Sequence, residues 1–455
     1  MTTYVYLTPE LLLLIGAAWA LFAERLPGGD RGSAWAGAAC SLAAAVVAGL
    51  VPATSGGPFP VLTFDGPARF ARVAVAALTV VWLLWTAGRG RGRLREAVAL
   101  ALFSAMGAMF MAEARELITL MLALELATMP AYVLIGYRRG DLRGLEGALK
   151  YFLLSMLTTL VMLYGFSFLY GLSGTTRFAG LHLGAAGTLG MVAVILSLVG
   201  LFAKLSAVPF HFWAPDAYEG ARPWAVAFVS TVPKVAGAVA IVRLVTAIAP
   251  GVAVTAPLIV IVSAASMLLG NLGALTQTDV RRMMGYSGVA HTGYLLMGVG
   301  ALSLRGTMAA VLYAVAYAIP TMGIMLVTAE AGPTLADFGG LFAKRPATAW
   351  GVTALLLSLV GIPPLVGFFG KLSLFAASLQ RGYWWLVLIA VLMSVVSAGY
   401  YLRIVRSMFF AEEPVGHVDV ARNTWGSLAL ATCVFAVFAL GLAAGPVLGV
   451  IGQLR

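Results

Sequence analysis

Two short stretches, Gly200-Leu-Phe-Ala-Lys204-Leu-Ser206 and Gly367-Phe-Phe-Gly-Lys371-Leu-Ser373, agree at five of seven positions, and each sets a lysine inside a long apolar segment. An ionisable side chain in hydrocarbon costs roughly 2.5–3.5 kcal/mol on insertion scales. A chain that accepts this cost twice, in matching surroundings, uses the charge. Repeated apolar segments interrupted by Gly and Pro are a sequence pointer to an ion site between repeats. The wider composition agrees: 61% of the 455 residues are hydrophobic and 10% are charged, with a mean hydropathy of +0.96. An apolar run of about 20 residues crosses a bilayer as a helix. Only helices and closed barrels satisfy their backbone groups there. Strand-like alternation is absent, so the expected fold is an all-α polytopic membrane protein without a soluble domain.

Fourteen transmembrane helices are expected, at 8–26, 34–52, 69–88, 96–113, 115–137, 146–171, 186–217, 222–248, 254–277, 286–303, 306–330, 347–379, 383–410 and 425–451. The segments 186–217 and 347–379 are too long for simple spans. They contain Pro209 and Pro215 in one case, Pro363 and Pro364 in the other. Interior proline removes a hydrogen bond and clashes with the preceding turn, so helices 7 and 12 are expected to be broken. The offset between the two lysines, 371 − 204 = 167 residues, moves one from span seven to span twelve. Five spans is an odd number, so the second copy must cross in the opposite direction. The result is an inverted five-helix repeat, helices 4–8 against 9–13. The expected organisation is three N-terminal helices in 1–95, the two repeats in 96–250 and 251–411, and a final helix in 412–455.

Loops after odd-numbered spans hold 17 Lys and Arg residues, from Arg25 to Arg422, against 7 on the other side, from Arg69 and Arg72 to Arg455. The positive-inside bias then puts both termini on the non-cytoplasmic side. The first apolar segment, near Thr8, follows no basic stretch and reads as a retained helix. The net charge of +11 comes from these loops and does not indicate nucleic acid. Cys40 and Cys433 lie singly in apolar segments and suggest neither a disulfide nor a metal site. Metal-ligand clusters, a phosphate loop and a dinucleotide fingerprint are absent from the sequence. The many Met and aromatic residues read as packing.

Only five of the 29 basic residues are lysines, and Lys150, Lys204, Lys234 and Lys371 fall inside expected spans. Arginine keeps its proton, whereas lysine loses it readily on burial. A group that exchanges a proton inside a membrane is therefore Lys, Glu, Asp or His. Glu125, in Leu122-Ala-Leu-Glu-Leu-Ala-Thr-Met-Pro130, reads as the only acid deep in a span, with Lys204 as its natural partner. The alternative is a fixed ion pair that pins two helices. Lys234 follows Pro233, where carbonyls freed by a kink could satisfy its ammonium. Lys371 follows the break Gly361-Ile-Pro-Pro-Leu-Val-Gly367 and could snorkel to the interface. Lys150 lies four residues after Glu146 and could do the same. His211, in Pro209-Phe-His-Phe-Trp-Ala-Pro215, and His291, in Ser287-Gly-Val-Ala-His-Thr-Gly-Tyr294, can relay protons near neutral pH or act as satisfied structural donors. The 167-residue offset maps Glu125 onto Thr292, beside His291. Arg243 reads as a span-end snorkeler.

At these residues the chain resembles the antiporter-like subunits of proton-pumping NADH–quinone oxidoreductase, respiratory complex I, of the subunit N type. The resemblance covers nearly the whole chain. It is carried by Tyr137-Arg-Arg-Gly-Asp through Ser155, by Lys204-Leu-Ser-Ala-Val-Pro-Phe-His-Phe-Trp-Ala-Pro-Asp-Ala-Tyr-Glu-Gly220, by Gly270-Asn-Leu-Gly through Ser287, and by Gly361 through Lys371. Lysine at 371 and an end at 455 favour the N type over the M and L types. The resemblance implies fourteen helices with inverted repeats. It also implies that Glu125 and Lys204 form a coupling pair, that Lys234 is a central relay and Lys371 a terminal donor, and that Lys150, His211 and His291 are auxiliary. A translocase subunit without a redox centre of its own is implied, with flavin, iron–sulfur clusters and quinone in partner subunits. Its setting would be a bacterial inner membrane, beside a neighbouring antiporter-like subunit and small membrane subunits. An Mrp-type cation/proton antiporter subunit, a membrane subunit of an energy-converting hydrogenase, an inert structural subunit and a free-standing solute transporter are the rival readings. Arg222-Pro-Trp224 and Pro233 depart from the family pattern and bear on the reach of Lys234.

Overall fold

A helix that is apolar on every side must be buried on every side, and two such helices set the arrangement. The computed structural model describes residues 3–22, 29–54, 59–89, 94–138, 140–183, 187–250, 252–413 and 423–453. The first part of the chain forms α1 (Thr8–Phe22), α2 (Gly29–Leu50), α3 (Gly66–Arg89), α4 (Arg95–Glu113), α5 (Leu117–Ile135), α6 (Leu142–Ser173), α7 (Gly187–Leu205), α8 (Trp213–Gly220), α9 (Pro223–Val229) and α10 (Val232–Ile248). The rest forms α11 (Thr255–Leu275), α12 (Val280–Gly300), α13 (Leu304–Ala331), α14 (Leu341–Lys344), α15 (Pro346–Val360), α16 (Val366–Leu379), α17 (Trp384–Phe410), α18 (Thr424–Leu442) and α19 (Ala444–Ile451). Twelve helical stretches among the described residues are long and apolar enough to cross a membrane. The stretch α9–α10 and helix α13 are enclosed over their most apolar 18 residues, while α1, α6, α17 and α18 leave apolar faces open. Leu157, Leu160, Tyr164, Phe435 and Leu442 lie on those open faces. Arg25, Arg91, Arg93, Arg139, Arg422 and Arg455, counted above for orientation, lie outside the described residues.

In lipid there is no hydrophobic force between helices, so association rests on close packing of small residues. Three helix pairs show this directly. A Cβ added at Gly107 of α4 would lie 2.4 Å from the Ala127 amide nitrogen of α5. One at Gly165 of α6 would lie 2.4 Å from the Ser197 amide of α7, and one at Gly270 of α11 would lie 2.4 Å from the Ala290 amide of α12. Ser104 adds a hydroxyl bond to the Ala127 carbonyl at 2.6 Å.

Helices α7 and α15 stop where a left-handed residue turns the chain, as α6 does at Gly174. After α7, Ser206 adopts φ 64°, and the Ala207 amide bonds the Phe202 carbonyl at 2.7 Å. Trp213 Nε1 takes the Ala203 carbonyl at 2.9 Å. After α15, Gly361 adopts φ 96°, and the amides of Gly361 and Ile362 both bond the Leu357 carbonyl, at 3.0 and 3.1 Å. Each turn satisfies carbonyls that a helix end leaves open, and prolines follow because the helix cannot continue. The two copies of the lysine motif do not occupy equivalent places. Lys204 precedes its left-handed residue by two positions, whereas Lys371 follows its own by ten. Aligning the turns needs a shift of 155 residues (361 − 206), so the 167-residue register expected from the motif fails here.

Gly107→Ala and Gly270→Ala are expected to force helix pairs apart, because the new methyl meets backbone rather than a movable side chain. Overpacking of this kind costs about 1–3 kcal/mol. Thermal melting of the membrane-embedded protein should show the loss. Gly171→Ala, with nothing within 4 Å of its added Cβ, should melt like the parent.

Candidate functional site

The three deeply placed lysines are all buried. Lys204, Lys234 and Lys371 are 4%, 5% and 4% exposed. Helical side chains lean toward the helix N-terminus, so Lys371, near the start of α16, reaches back across the break. Its Nζ donates to the Val360 carbonyl at 2.8 Å and to Ser394 Oγ of α17 at 3.0 Å. The ammonium also lies 4.7 Å from the Tyr294 ring centroid. Gly361 leaves room for this path, since a Cβ there would come within 3.2 Å of Lys371 Cδ. Lys371 therefore does not snorkel: it holds the last carbonyl of α15, a group with no partner inside its own helix.

Lys204 lies in the last turn of α7, and its Nζ donates to Tyr151 Oη of α6 at 3.4 Å. The Tyr151 ring stacks on Trp213 with centroids 3.9 Å apart. Glu125 of α5 is half-buried, and neither of its carboxylate oxygens has a hydrogen-bond partner. It does not form a closed ion pair with Lys204, whose Nζ is held by Tyr151 instead.

Lys234 is the third residue of α10. Pro233 stands in the first turn, where its missing N–H costs nothing. The helical stretch is interrupted at Ser230 and Thr231, between α9 and α10, yet no freed carbonyl reaches the lysine: Lys234 Nζ has no hydrogen-bond partner. It lies 5.5 Å from the Tyr317 ring centroid. Gly288 of α12 makes the space, since a Cβ there would be 3.1 Å from Lys234 Nζ and 2.8 Å from Tyr317 Oη. A cavity of ≈ 10 Å³ opens between Lys234, His291, Thr292, Tyr313 and Tyr317. That is about the volume one water needs.

His291 of α12 is the polar centre of the second half. Its Nδ1 is 2.7 Å from Tyr313 Oη and its Nε2 3.1 Å from Tyr401 Oη, which is 2.5 Å from Ser287 Oγ. Tyr294 Oη lies 3.1 Å from the same Ser394 hydroxyl that Lys371 holds. Thr292 donates to the Leu205 carbonyl at 2.5 Å, tying α12 to the end of α7. Lys234 and His291 thus line one small cavity, and Lys371 reaches the Tyr294–Ser394 hydroxyls beside it.

Other expectations need correction. Lys150 has a side chain 46% exposed and pairs with Glu146 at 2.8 Å and Asp216 at 2.9 Å, in a surface network with Arg282 and Glu219. It stands outside the buried succession. His211 is buried in the loop between α7 and α8, with Nδ1 unpartnered and its ring 4.3 Å from Phe212, apart from the His291 group. Glu125 is not the only buried acid. Glu10 and Glu113 are 2% and 0% exposed, paired with an Arg72 that is itself 1% exposed and not in a loop. They escape notice because both stand near helix ends in the sequence and are covered only by packing. Arg243 does not snorkel but pairs with Asp65 at 2.5 Å. The tyrosines read as packing, 151, 294, 313, 317 and 401, supply the polar contacts of the site. Their signal was spacing: His291 and Tyr294 at i, i+3, and Tyr313 and Tyr317 at i, i+4, share helix faces.

Residues 114–397 match the family described as NADH:quinone oxidoreductase/Mrp antiporter, TM. The chain belongs to this family. Within the NADH:quinone oxidoreductase/Mrp antiporter family, a relative from Acidiphilium cryptum, NADH-quinone oxidoreductase subunit N 1, is 37% identical over 436 residues, covering 91% of this chain and 90% of that one. A chain of respiratory complex I from Thermus thermophilus superposes with a TM-score of 0.85 at 31% identity, covering 98% of this chain and 100% of that one. A chain of the Mrp complex from Dietzia sp. DQ12-45-1b shares the fold, with a TM-score of 0.87 at 23% identity over 99% of this chain and 96% of that one.

Tyr401→Phe should strand His291 Nε2 and Ser287 Oγ together. A buried polar group left without its partner costs about 1–3 kcal/mol. The melting temperature is expected to fall, while Tyr164→Phe, at a ring 60% exposed, leaves it unchanged.

Proposed function

We propose that this chain is a proton-translocating membrane-arm subunit of an NADH–quinone oxidoreductase, and that protons pass along Glu125, Lys204, Lys234, His291 and Lys371. The observation that carries this reading is the set of three buried lysines, with Lys234 and His291 on one water-sized cavity and Lys371 on the Tyr294–Ser394 hydroxyls. Intramembrane ionisable residues mark proton and ion routes. Glu125 lacks a closed partner, so a change in its position or charge alters the field at Lys204. Lys204 then passes its proton toward Lys234, and the water-sized cavity links Lys234 to His291. The Tyr313, Tyr401, Tyr294 and Ser394 hydroxyls carry it toward Lys371. Lys150 and His211 are auxiliary, near the cytoplasmic rim and at the first break. Flavin, iron–sulfur clusters and quinone belong to partner subunits, and redox change there reaches this chain through neighbouring membrane-arm subunits.

The same reading includes fourteen spans: three N-terminal helices, two inverted five-helix repeats and one final helix. The first repeat is α4, α5, α6, α7–α8 and α9–α10; the second is α11, α12, α13, α15–α16 and α17. The glycine contacts support it. Gly107 against Ala127 and Gly270 against Ala290 repeat one close approach at a spacing of 163 residues (270 − 107 and 290 − 127). On that register Glu125 corresponds to Gly288, not Thr292 (288 − 125 = 163), and the missing side chain at Gly288 is what admits the Lys234 ammonium. The excess of basic residues in alternate loops supports termini on the outer face of a bacterial inner membrane.

A cation/proton antiporter of the Mrp type is the second reading, favoured by the shared fold. Co-purification with flavin and iron–sulfur subunits that oxidise NADH supports the first reading, and their absence the second. Groups that transfer protons typically contribute about 10²–10⁴-fold to rate. Glu125→Gln and Lys204→Ala, in a fully assembled complex, should therefore cut NADH-driven proton pumping into vesicles by about tenfold or more. Unchanged pumping per electron would sink the proposal.

A further inference from the structure

A second buried charge cluster lies away from the lysines, among α1, α3, α4 and α10. Arg72 Nε donates to Glu10 Oε1 at 2.9 Å, and its Nη2 donates to Glu10 Oε2 at 2.7 Å and to the Tyr6 carbonyl at 2.5 Å. Glu113 Oε1 lies 2.5 Å from the same Nε. An arginine Nε carries one hydrogen, and Glu10 already takes it. Glu113 therefore touches the guanidinium without receiving a hydrogen, and neither of its oxygens has a hydrogen-bond partner although the residue is fully enclosed. Glu10 Oε1 and Glu113 Oε1 thus converge on one nitrogen, Arg72 Nε, at 2.9 and 2.5 Å.

The charges do not balance either. From α10, Arg243 faces the cluster, but it is closed bidentately on Asp65 at 2.5 and 2.9 Å and holds the Ala112 carbonyl at 2.8 Å. Arg69 of α3 is turned to the Gly49 carbonyl, and Arg115, two residues beyond Glu113, has partners of its own. The Phe64 ring lies 5.1 Å from the Arg72 guanidinium carbon. Arg72 and Arg243 stay cationic, so two positive charges face three carboxylates. Two carboxylates this close on one cation do not both ionise.

We propose that Glu10 and Glu113 share one exchangeable proton on Arg72, which makes the N-terminal helices a proton-binding site distinct from the lysine succession. The proton bridges a Glu113 oxygen and a Glu10 oxygen, and comes from and returns to water. The inference does not depend on how the lysines work.

The test uses the assembled complex. Infrared difference spectra, wild type minus Glu113→Gln, are recorded in water and in deuterium oxide. The expected result is the loss of a deuterium-sensitive C=O band of a protonated carboxylic acid, with the same band shifted or lost in Glu10→Gln. A difference confined to ionised carboxylate bands would overturn the proposal. So would a carboxylic acid band that vanishes when sodium is added at constant pH, since a metal cation would then balance the surplus charge. Assembly gives a second readout. A glutamine amide stands in for a protonated acid, so Glu113→Gln should assemble like wild type while Arg72→Gln does not. Equal failure of both variants would mean that Glu113 must be charged, and would also overturn the proposal.

Discussion

The unpaired ammonium of Lys234 is the constraint around which the rest is arranged. Among the described residues it sits on one of the two most enclosed helical stretches, faces the other, and has no hydrogen-bond partner. A buried charge without a partner is among the most expensive features a fold can carry. What offsets it is small and specific. The Tyr317 ring offers a π-face, worth about 0.5–2 kcal/mol to a desolvated cation. Gly288 gives space, and the adjoining cavity admits about one water. A side chain at Gly288, or a filled cavity, would remove the accommodation. α12 therefore reads as a helix selected for what it leaves out at Gly288 as much as for the His291 it presents.

The ends of α7 and α15 solve a related problem in two ways. Lys204 lies in the last turn of α7, so its charge is near a helix C-terminus. Lys371 starts on the far side of its break but leans back until its ammonium holds the final carbonyl of α15. Both charges thus sit by the C-terminal end of a half-helix, where the macrodipole favours a cation by about 0.3–1 kcal/mol. The similar heptapeptides arrive there by different geometry. The shared motif records a shared electrostatic need, and the break alone fixes which side supplies the lysine.

Much of the architecture was legible before any coordinate. Helix limits follow from apolar run length, and the ends of the α9–α10 stretch, α13 and α17 fall within two residues of the sequence expectation. The prolines at 209, 363 and 364 announced the interruptions. The interior lysines were legible because four of the five lysines fall inside apolar spans while arginine fills the loops. The Glu10–Arg72–Glu113 cluster was not legible, because residues near predicted loop edges look solvated until α1, α3 and α4 pack over them. Lys150 reads from its spacing to Glu146 as a lysine that reaches the surface, and there Glu146 and Asp216 hold it.

Sequence by itself determined that this chain spans a membrane many times, where its helices stop, and that it keeps lysines in apolar surroundings. These depend on local quantities: run length, residue type and the stereochemistry of proline and glycine. Tertiary structure decided which charges meet. It left Glu125 open, gave Lys371 a carbonyl, left Lys234 with a ring and a void, and joined His291 to two tyrosine hydroxyls from α13 and α17. Such pairings depend on the rotation and depth of helices far apart in the chain. Those are set by backbone contacts such as Gly107 on Ala127 and Gly270 on Ala290, and no local pattern encodes them.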